Sequence, residues 1–226
     1  MSGGVGEGDA RRRLALVVAR LDEAYGRPVL APRLPPVDEL VYTVLSQNTA
    51  DVNTDRTFAA LKARYPDWAA VRDAPVGELA ATIAHGGLAQ TKAPRLKRIL
   101  AALSEGGGEP DLSRLATMDD QAALAWLTSL PGVGPKTAAC VLLFSLGRPV
   151  MPVDTHVHRV AGRLGLIPAG MGAGPAHALL TDLAGPDPRQ VYAAHVGMVR
   201  HGRRVCRARR PDCPRCVLRD LCPSGG

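Results

Sequence analysis

Four cysteines near the C-terminus, Cys206, Cys213, Cys216 and Cys222, follow a C-x6-C-x2-C-x5-C pattern within the arginine-rich segment HGRRVCRARRPDCPRCVLRDLC. Four thiolates drawn from one short segment can wrap a compact inorganic centre, and an all-cysteine donor set suits an iron–sulfur cluster or zinc. Zinc sites commonly pair two short clips, each giving two corners of a tetrahedron. Only one such clip is present here. The wider, uneven spacing therefore fits a cubane cluster with one thiolate per iron better, with zinc as the alternative and disulfides as a weaker third reading. Cys140, in the apolar run TAACVLLFSL, reads as a buried small hydrophobe.

A second constellation is the segment Leu130-Pro131-Gly132-Val133-Gly134-Pro135-Lys136-Thr137-Ala138. Gly132 and Gly134 free the backbone for positive φ and close approach, so the segment predicts a tight hairpin between two helices. Such a hairpin presents backbone amides, and the positive end of the following helix makes a phosphate a natural ligand. Pro135 suits the first helical position. Lys136 then falls in the first turn, where the helix dipole disfavours an added positive charge and the residue can supply an amine nucleophile. The plainer role is a solvated lysine pairing with phosphate.

The third is Pro152-Val153-Asp154-Thr155-His156-Val157-His158-Arg159-Val160, in which Asp154 precedes a strongly periodic helix. As an N-cap it would satisfy a free amide. A carboxylate fixed there can also stabilise a developing oxocarbenium ion and move protons. His156 and His158 lie two apart, on different sides of a helix, which argues against joint metal binding and leaves them structural or DNA-facing.

The elements that must position these residues are helices. Aromatic residues make up only 4% of the chain, β-branched alternation is absent, and Ala, Leu, Arg and Glu recur at three- and four-residue spacing. Helices are expected near 11–25, 37–47, 51–64, 76–84, 91–104, 119–129, 135–146, 155–165, 173–184 and 187–201. The Pro-rich connectors GRPVLAPRLPPVD and GRPVMPVD divide the chain into a flexible tail at 1–13, a central lobe at 37–148, and a second lobe built from 14–36 and 149–226. The 226 residues, 46% of them hydrophobic, can bury a sizeable core. Net charge is +7, and eight arginines face only Asp212 and Asp220 between Arg200 and Cys222. That asymmetry favours nucleic acid over a membrane surface as partner. Arg20 interrupts the first apolar stretch before a secretory segment could form, and cluster-binding thiols need a reducing compartment. A cytoplasmic protein, nucleoid-associated when bound to DNA, is expected.

LPGVGPKTA, VDTHVHRV and HGRRVC with its four-cysteine spacing together resemble the endonuclease III branch of the helix-hairpin-helix DNA glycosylases, over about Leu14 to Cys222. The resemblance implies an all-α fold of two helical lobes, a six-helix barrel carrying the hairpin and a [4Fe–4S] lobe made from both chain ends, with a DNA cleft between them. It implies a bifunctional glycosylase and abasic-site lyase of base excision repair, acting as a monomer on duplex DNA that contains oxidised pyrimidines or abasic sites. By position, Lys136 matches the nucleophile and Asp154 the catalytic carboxylate. Asn48, beside Gln47 in LSQNTADVN, matches the residue that fills the hole left by the extruded nucleotide, and Leu88 the opposing wedge. Gly132, Val133, Gly134, Thr137, His156, Arg207, Arg209 and Arg210 complete the expected DNA contacts. The chain departs from the family pattern where Asn48 stands for glutamine, Ala89 for an aromatic residue and Pro135 for a basic one, changes that bear on lesion preference and catalytic efficiency rather than reaction class.

Thymine-mismatch or modified-cytosine excision by the same fold is the alternative within this class. The alternative outside it is a non-catalytic, cluster-containing DNA-binding module, which has no need for both Lys136 and Asp154. Either way, phosphate neutralisation by Arg207, Arg209 and Arg210 releases counterions, so duplex affinity should fall steeply and log-linearly with salt. A titration showing affinity indifferent to salt would remove the role given to these arginines.

Overall fold

The structure, a computed structural model, describes residues 7–31 and 33–225. Its helices are α1 (Glu7–Tyr25), α2 (Pro36–Ser46), α3 (Asp51–Arg64), α4 (Trp68–Asp73), α5 (Val76–Thr82), α6 (Ala89–Ala102), α7 (Asp120–Ser129), α8 (Pro135–Cys140), α9 (Thr155–Arg163), α10 (Ala173–Ala184) and α11 (Pro188–Arg204). There is no strand among the described residues, and no helix long and apolar enough to cross a membrane. The contacts divide the chain into two compact units, one from residues 7–31 with 147–225 and the other from 33–146.

In the central unit, apolar residues at helical spacing turn one face of each helix inward. Leu40, Val41, Val44 and Leu45 of α2 are fully buried, as are Leu96, Ile99 and Leu100 of α6 and Leu127 of α7. Burial of each such leucine or isoleucine contributes about 1.5–3 kcal/mol. The six helices expected between 37 and 148 are present, and α4 is one more. Its six residues are too short to show a period, and its start is set by side chains from elsewhere. Asp67 accepts from the Ala70 amide at 2.7 Å, and Glu109 accepts from the Trp68 and Ala69 amides at 2.9 and 3.1 Å.

The other unit packs α1 and α9 against α11. Leu14, Val17, Val18 and Leu21 of α1 are buried, as are Val157 and Val160 of α9 and Val191, Ala194 and Met198 of α11. Gly197 allows the closest approach: a Cβ there would stand 3.1 Å from the Leu21 Cβ. The C-terminal loop is tied to α1 by Arg20, which donates to both oxygens of Asp220 at 2.6 and 2.8 Å. The tail expected to reach residue 13 is shorter than that, because α1 already runs from Glu7. Asp9 suits the positive end of a helix and pairs with Arg12 one turn on. Residues 1–6 of that tail lie outside the described residues.

The helix expected over 135–146 is α-helical only to Cys140 and continues as a π turn over Val141–Ser145. Arg33 braces this turn and α2 together. Its amide donates to Phe144 O at 3.3 Å, and its guanidinium lies over the Tyr42 ring at 4.3 Å. The guanidinium also donates twice to Glu39, at 3.1 and 2.5 Å. Glu39 is fully buried, so removing its partner leaves an uncompensated carboxylate, whereas removing both leaves an apolar site. Arg33→Met should therefore lower unfolding free energy by roughly 3 kcal/mol, with most of it regained in the Arg33→Met/Glu39→Met double variant. Urea denaturation checks this; equal losses in the single and double variants would contradict it.

Candidate active site

The hairpin begins where α7 ends. Val133 N–H donates to Leu130 O at 3.1 Å, closing the turn, and the Val133 side chain is buried at 5% exposure. Val133 thus anchors the hairpin, and its amide is already engaged. Gly132 has φ +82°, and a Cβ there would come within 2.9 Å of the Arg95 side chain. Both facts require glycine. Gly134 corrects the expectation of positive φ: at φ −94°, ψ 172° it is the extended N-cap of α8, with nothing within 4 Å of a Cβ. Only the first of the two glycines needs left-handed backbone. Pro135 takes the first helical position, where its missing N–H costs nothing.

Lys136 follows at the second position of α8 and is half-buried. Two acidic groups of the same unit lie within its electrostatic reach, the Glu39 carboxyl and the Cys140 thiol one turn further on. Burial pushes the Glu39 carboxyl up, against the opposing pull of Arg33, Thr43 and Lys136. Burial also pushes the Cys140 thiol up, so it stays a thiol, as a small buried hydrophobe should. Thr137, 3% exposed, faces α2, where its Oγ1 accepts from Gln47 Nε2 at 3.3 Å.

Gln47, expected to touch DNA, has its side chain engaged inside the unit. Besides its bond to Thr137, its Oε1 accepts from Arg95 at 2.6 Å. Arg95 thereby joins the loop after α2 to the hairpin, a role that its place in the sequence AQTKAPRLKR did not disclose. Asn48 is exposed, and so is Leu88, 57% exposed at the start of α6.

In the unit formed from both chain ends, Asp154 caps α9. Its Oδ1 accepts from the His156 and Val157 amides at 2.9 and 2.7 Å, which fixes the carboxylate and leaves Oδ2 for other work. His156 packs at Gly202 of α11 and takes a hydrogen bond from Arg159 at 3.0 Å, while His158 bonds Met171 O at 2.8 Å. The far half of α9 holds the cysteine loop. Arg159 donates to Cys206 O at 2.9 Å, and Arg163 donates to Cys206 Sγ, Arg207 O and Ala208 O at 3.2, 2.8 and 3.1 Å. Sequence reasoning missed both arginines, because the carbonyls they meet lie more than forty residues further along the chain.

Cys206, Cys213, Cys216 and Cys222 are free, half-buried thiols that line one cavity of about 50 Å³ together with Arg163 and Arg219. Burial pushes the Cys216 thiol up, and Cys206, Cys222 and Cys213 push it further. Four mutually repelling sulfurs around a small void are a donor set for cations. Among the described residues no three His, Cys, Asp or Glu converge on a single ion. An all-thiol set lining one void fits either an iron–sulfur cluster or zinc. Arg207, Arg209 and Arg210 stand exposed on the same loop, Arg210 at φ +52°.

Comparison with known proteins sets these features in a family. The profile of the HhH-GPD superfamily base excision DNA repair proteins matches residues 41–191. A putative DNA glycosylase of Arabidopsis thaliana is 42% identical over 132 residues, covering 58% of this chain but only 45% of that relative, so the chain spans less than half its length. Endonuclease III of Thermotoga maritima is 35% identical over 190 residues, 83% of this chain and 82% of its own. A solved structure of endonuclease III in a trapped covalent intermediate with DNA is similar at a TM-score of 0.79 and 27% identity, over 95% of this chain and 96% of that one.

The unequal glycines give a direct check on the hairpin. Gly132→Ala should destabilise the protein by about 1 kcal/mol or more, since it forces a Cβ into left-handed backbone and against Arg95, while Gly134→Ala should fold as the parent does. Thermal denaturation of the two variants reads the difference; equal midpoints would contradict the hairpin geometry.

Proposed function

The chain belongs to the HhH-GPD superfamily of base excision DNA repair proteins, and we propose that it is a DNA glycosylase and abasic-site lyase whose nucleophile is Lys136. The observation that carries this reading is a lysine at the second position of α8, directly behind a glycine hairpin and half-buried beside a fully buried carboxyl group. A lysine that only pairs with phosphate would have no need of this half-burial. Oxidised pyrimidines such as thymine glycol are the base substrates we assign, in duplex DNA, with the lesion turned out of the stack before reaction.

In this reaction the unprotonated Lys136 Nζ attacks the deoxyribose anomeric carbon. The N-glycosidic bond breaks, and the base departs with the bonding electrons and takes up a proton. Loss of the second proton from nitrogen and opening of the sugar give a Schiff base. That cation acidifies the neighbouring sugar C–H; once this proton leaves, the bond to the 3′ phosphate breaks by β-elimination, and hydrolysis returns the lysine. Asp154 is held by two amides through Oδ1, and the roles we assign to its carboxylate are to accept protons and to stabilise positive charge on the sugar. The amides at Gly132 and Gly134 and the Thr137 start of α8 support the phosphate nearest the lesion. His156 and the exposed Arg207, Arg209 and Arg210 support further backbone contacts.

Cys206, Cys213, Cys216 and Cys222 would hold a [4Fe–4S] cluster, which would supply a rigid cross-link to a loop otherwise held by Arg159 and Arg163. With nine residues at about 1.5 Å rise each, α9 separates the Asp154 cap from that loop, so the cluster's contribution is to binding rather than to bond breaking. A single protein copy carries every residue named here.

Borohydride trapping on a duplex with one abasic site or one thymine glycol tests the assignment. Covalent adduct is expected on both substrates with the parent protein and on neither with Lys136→Gln. Adduct on the abasic site alone would leave a lyase whose base substrate lies among mismatches or modified cytosine, and no adduct at all would favour a non-catalytic DNA-binding module.

A further inference from the structure

Two exposed side chains of the central unit are held where L-residues are rarely found. Asn48 has φ +53° and Leu88 φ +51°, and Leu88 in addition leaves an apolar side chain 57% exposed. Neither is glycine, which would relieve the strain, and a left-handed leucine facing solvent is unfavourable both as backbone and as side chain. Such strain persists only where the surroundings impose it.

Lys92, one turn into α6, joins the two segments that carry these residues. Lys92 is 2% exposed, yet among the described residues its ammonium meets no carboxylate. Its three protons go instead to Leu45 O at 2.7 Å, Thr49 Oγ1 at 2.6 Å and Gly86 O at 2.9 Å. Leu45 and Thr49 bracket Asn48, and Gly86 precedes the Gly87-Leu88 turn. Thr49 Oγ1 also donates to Gly86 O at 2.5 Å, so the two loops are stitched directly as well as through the ammonium. Close packing leaves little slack, since a Cβ on Gly86 would lie 3.0 Å from Thr57 Oγ1. Burial and the nearby Arg95 both disfavour the charged form of Lys92. A desolvated ammonium answered only by neutral oxygens is an unfavourable way to fill a core. It is a good way to fix two loop segments to α6, because an ammonium offers three donors from one point.

We infer that Lys92 is a positioning residue for base extrusion, locking Asn48 and Leu88 at a fixed separation as a two-pronged probe of the base stack. It touches neither the lesion nor the sugar and acts through the two loops. The inference rests on the glycosylase reading above. It predicts a dependence on substrate form that a general structural role does not: separating a paired, stacked base needs both prongs, whereas an unpaired abasic sugar can reach Lys136 without them.

The test compares single-turnover base excision from a duplex carrying thymine glycol with borohydride trapping on a single-stranded oligonucleotide carrying an abasic site, for the parent, Lys92→Met and Thr49→Val. A 2-aminopurine beside the lesion in the duplex reports unstacking. For Lys92→Met the duplex rate should fall about tenfold or more and the 2-aminopurine rise should be lost, while single-strand trapping stays within about twofold of the parent. Thr49→Val, which removes one acceptor and the direct stitch to Gly86, should show the same asymmetry to a smaller degree and covers the case in which Lys92→Met does not fold. Equal loss on both substrates, or duplex excision and unstacking unchanged in both variants, would overturn the inference. Failure of the parent protein to trap on any substrate is a separate result: it would overturn the glycosylase reading and this inference with it.

Discussion

Every residue assigned to chemistry in this protein stands at or beside the start of a helix, and that placement depends on the buried faces of the same helices. A helix start offers unpaired amides and a partial positive charge, but only if the body behind it is held still. In the central unit α2, α6 and α7 supply that hold through fully buried aliphatic side chains, and α8 starts from them with Gly134 and Lys136. In the other unit α9 starts with Asp154 while Val157 and Val160 lie buried. Leu88, at the start of α6, follows the same plan with an exposed apolar side chain in place of a charge.

Polar side chains then tune what the apolar core has placed. Arg95, Gln47 and Thr137 form a chain of hydrogen bonds linking α6, the loop after α2 and α8. Lys92 does the same between the two exposed loops. In the other unit Arg159 and Arg163 carry the cysteine loop on the far half of the helix that Asp154 caps. The π turn immediately behind α8 belongs to this pattern. It changes helical register within one turn of Cys140, where Arg33 packs on Phe144 and reaches Glu39. A continuous α-helix would carry the following residues on another face.

Much of this was legible in the sequence. Helix α3 and helix α10 were read to their ends, because their starts and stops carry Asp, Gly and Tyr-Pro punctuation. The Asp154 cap followed from its place before a strongly periodic helix, and the hairpin from its glycines and proline. What stayed hidden was whatever depends on residues distant in sequence. Helix α4 is capped in part by Glu109, far along the chain, and Lys92 looks like any helical lysine until the three oxygens around it are seen. Gly134 was misread for a related reason. Composition shows that a glycine is present, but only the backbone shows which of two glycines needs positive φ. The early start of α1 escaped because a Gly-rich opening obscured the Asp9–Arg12 pair inside it.

The central claim is that one particular amine forms the bond to DNA. After borohydride reduction of the complex with an abasic duplex, proteolysis and tandem mass spectrometry locate the sugar-modified residue directly. The account predicts modification at Lys136, within the peptide that spans the hairpin and the start of α8. Modification at Lys92, at Lys97 or at the N-terminal amine, with Lys136 unmodified, would contradict it.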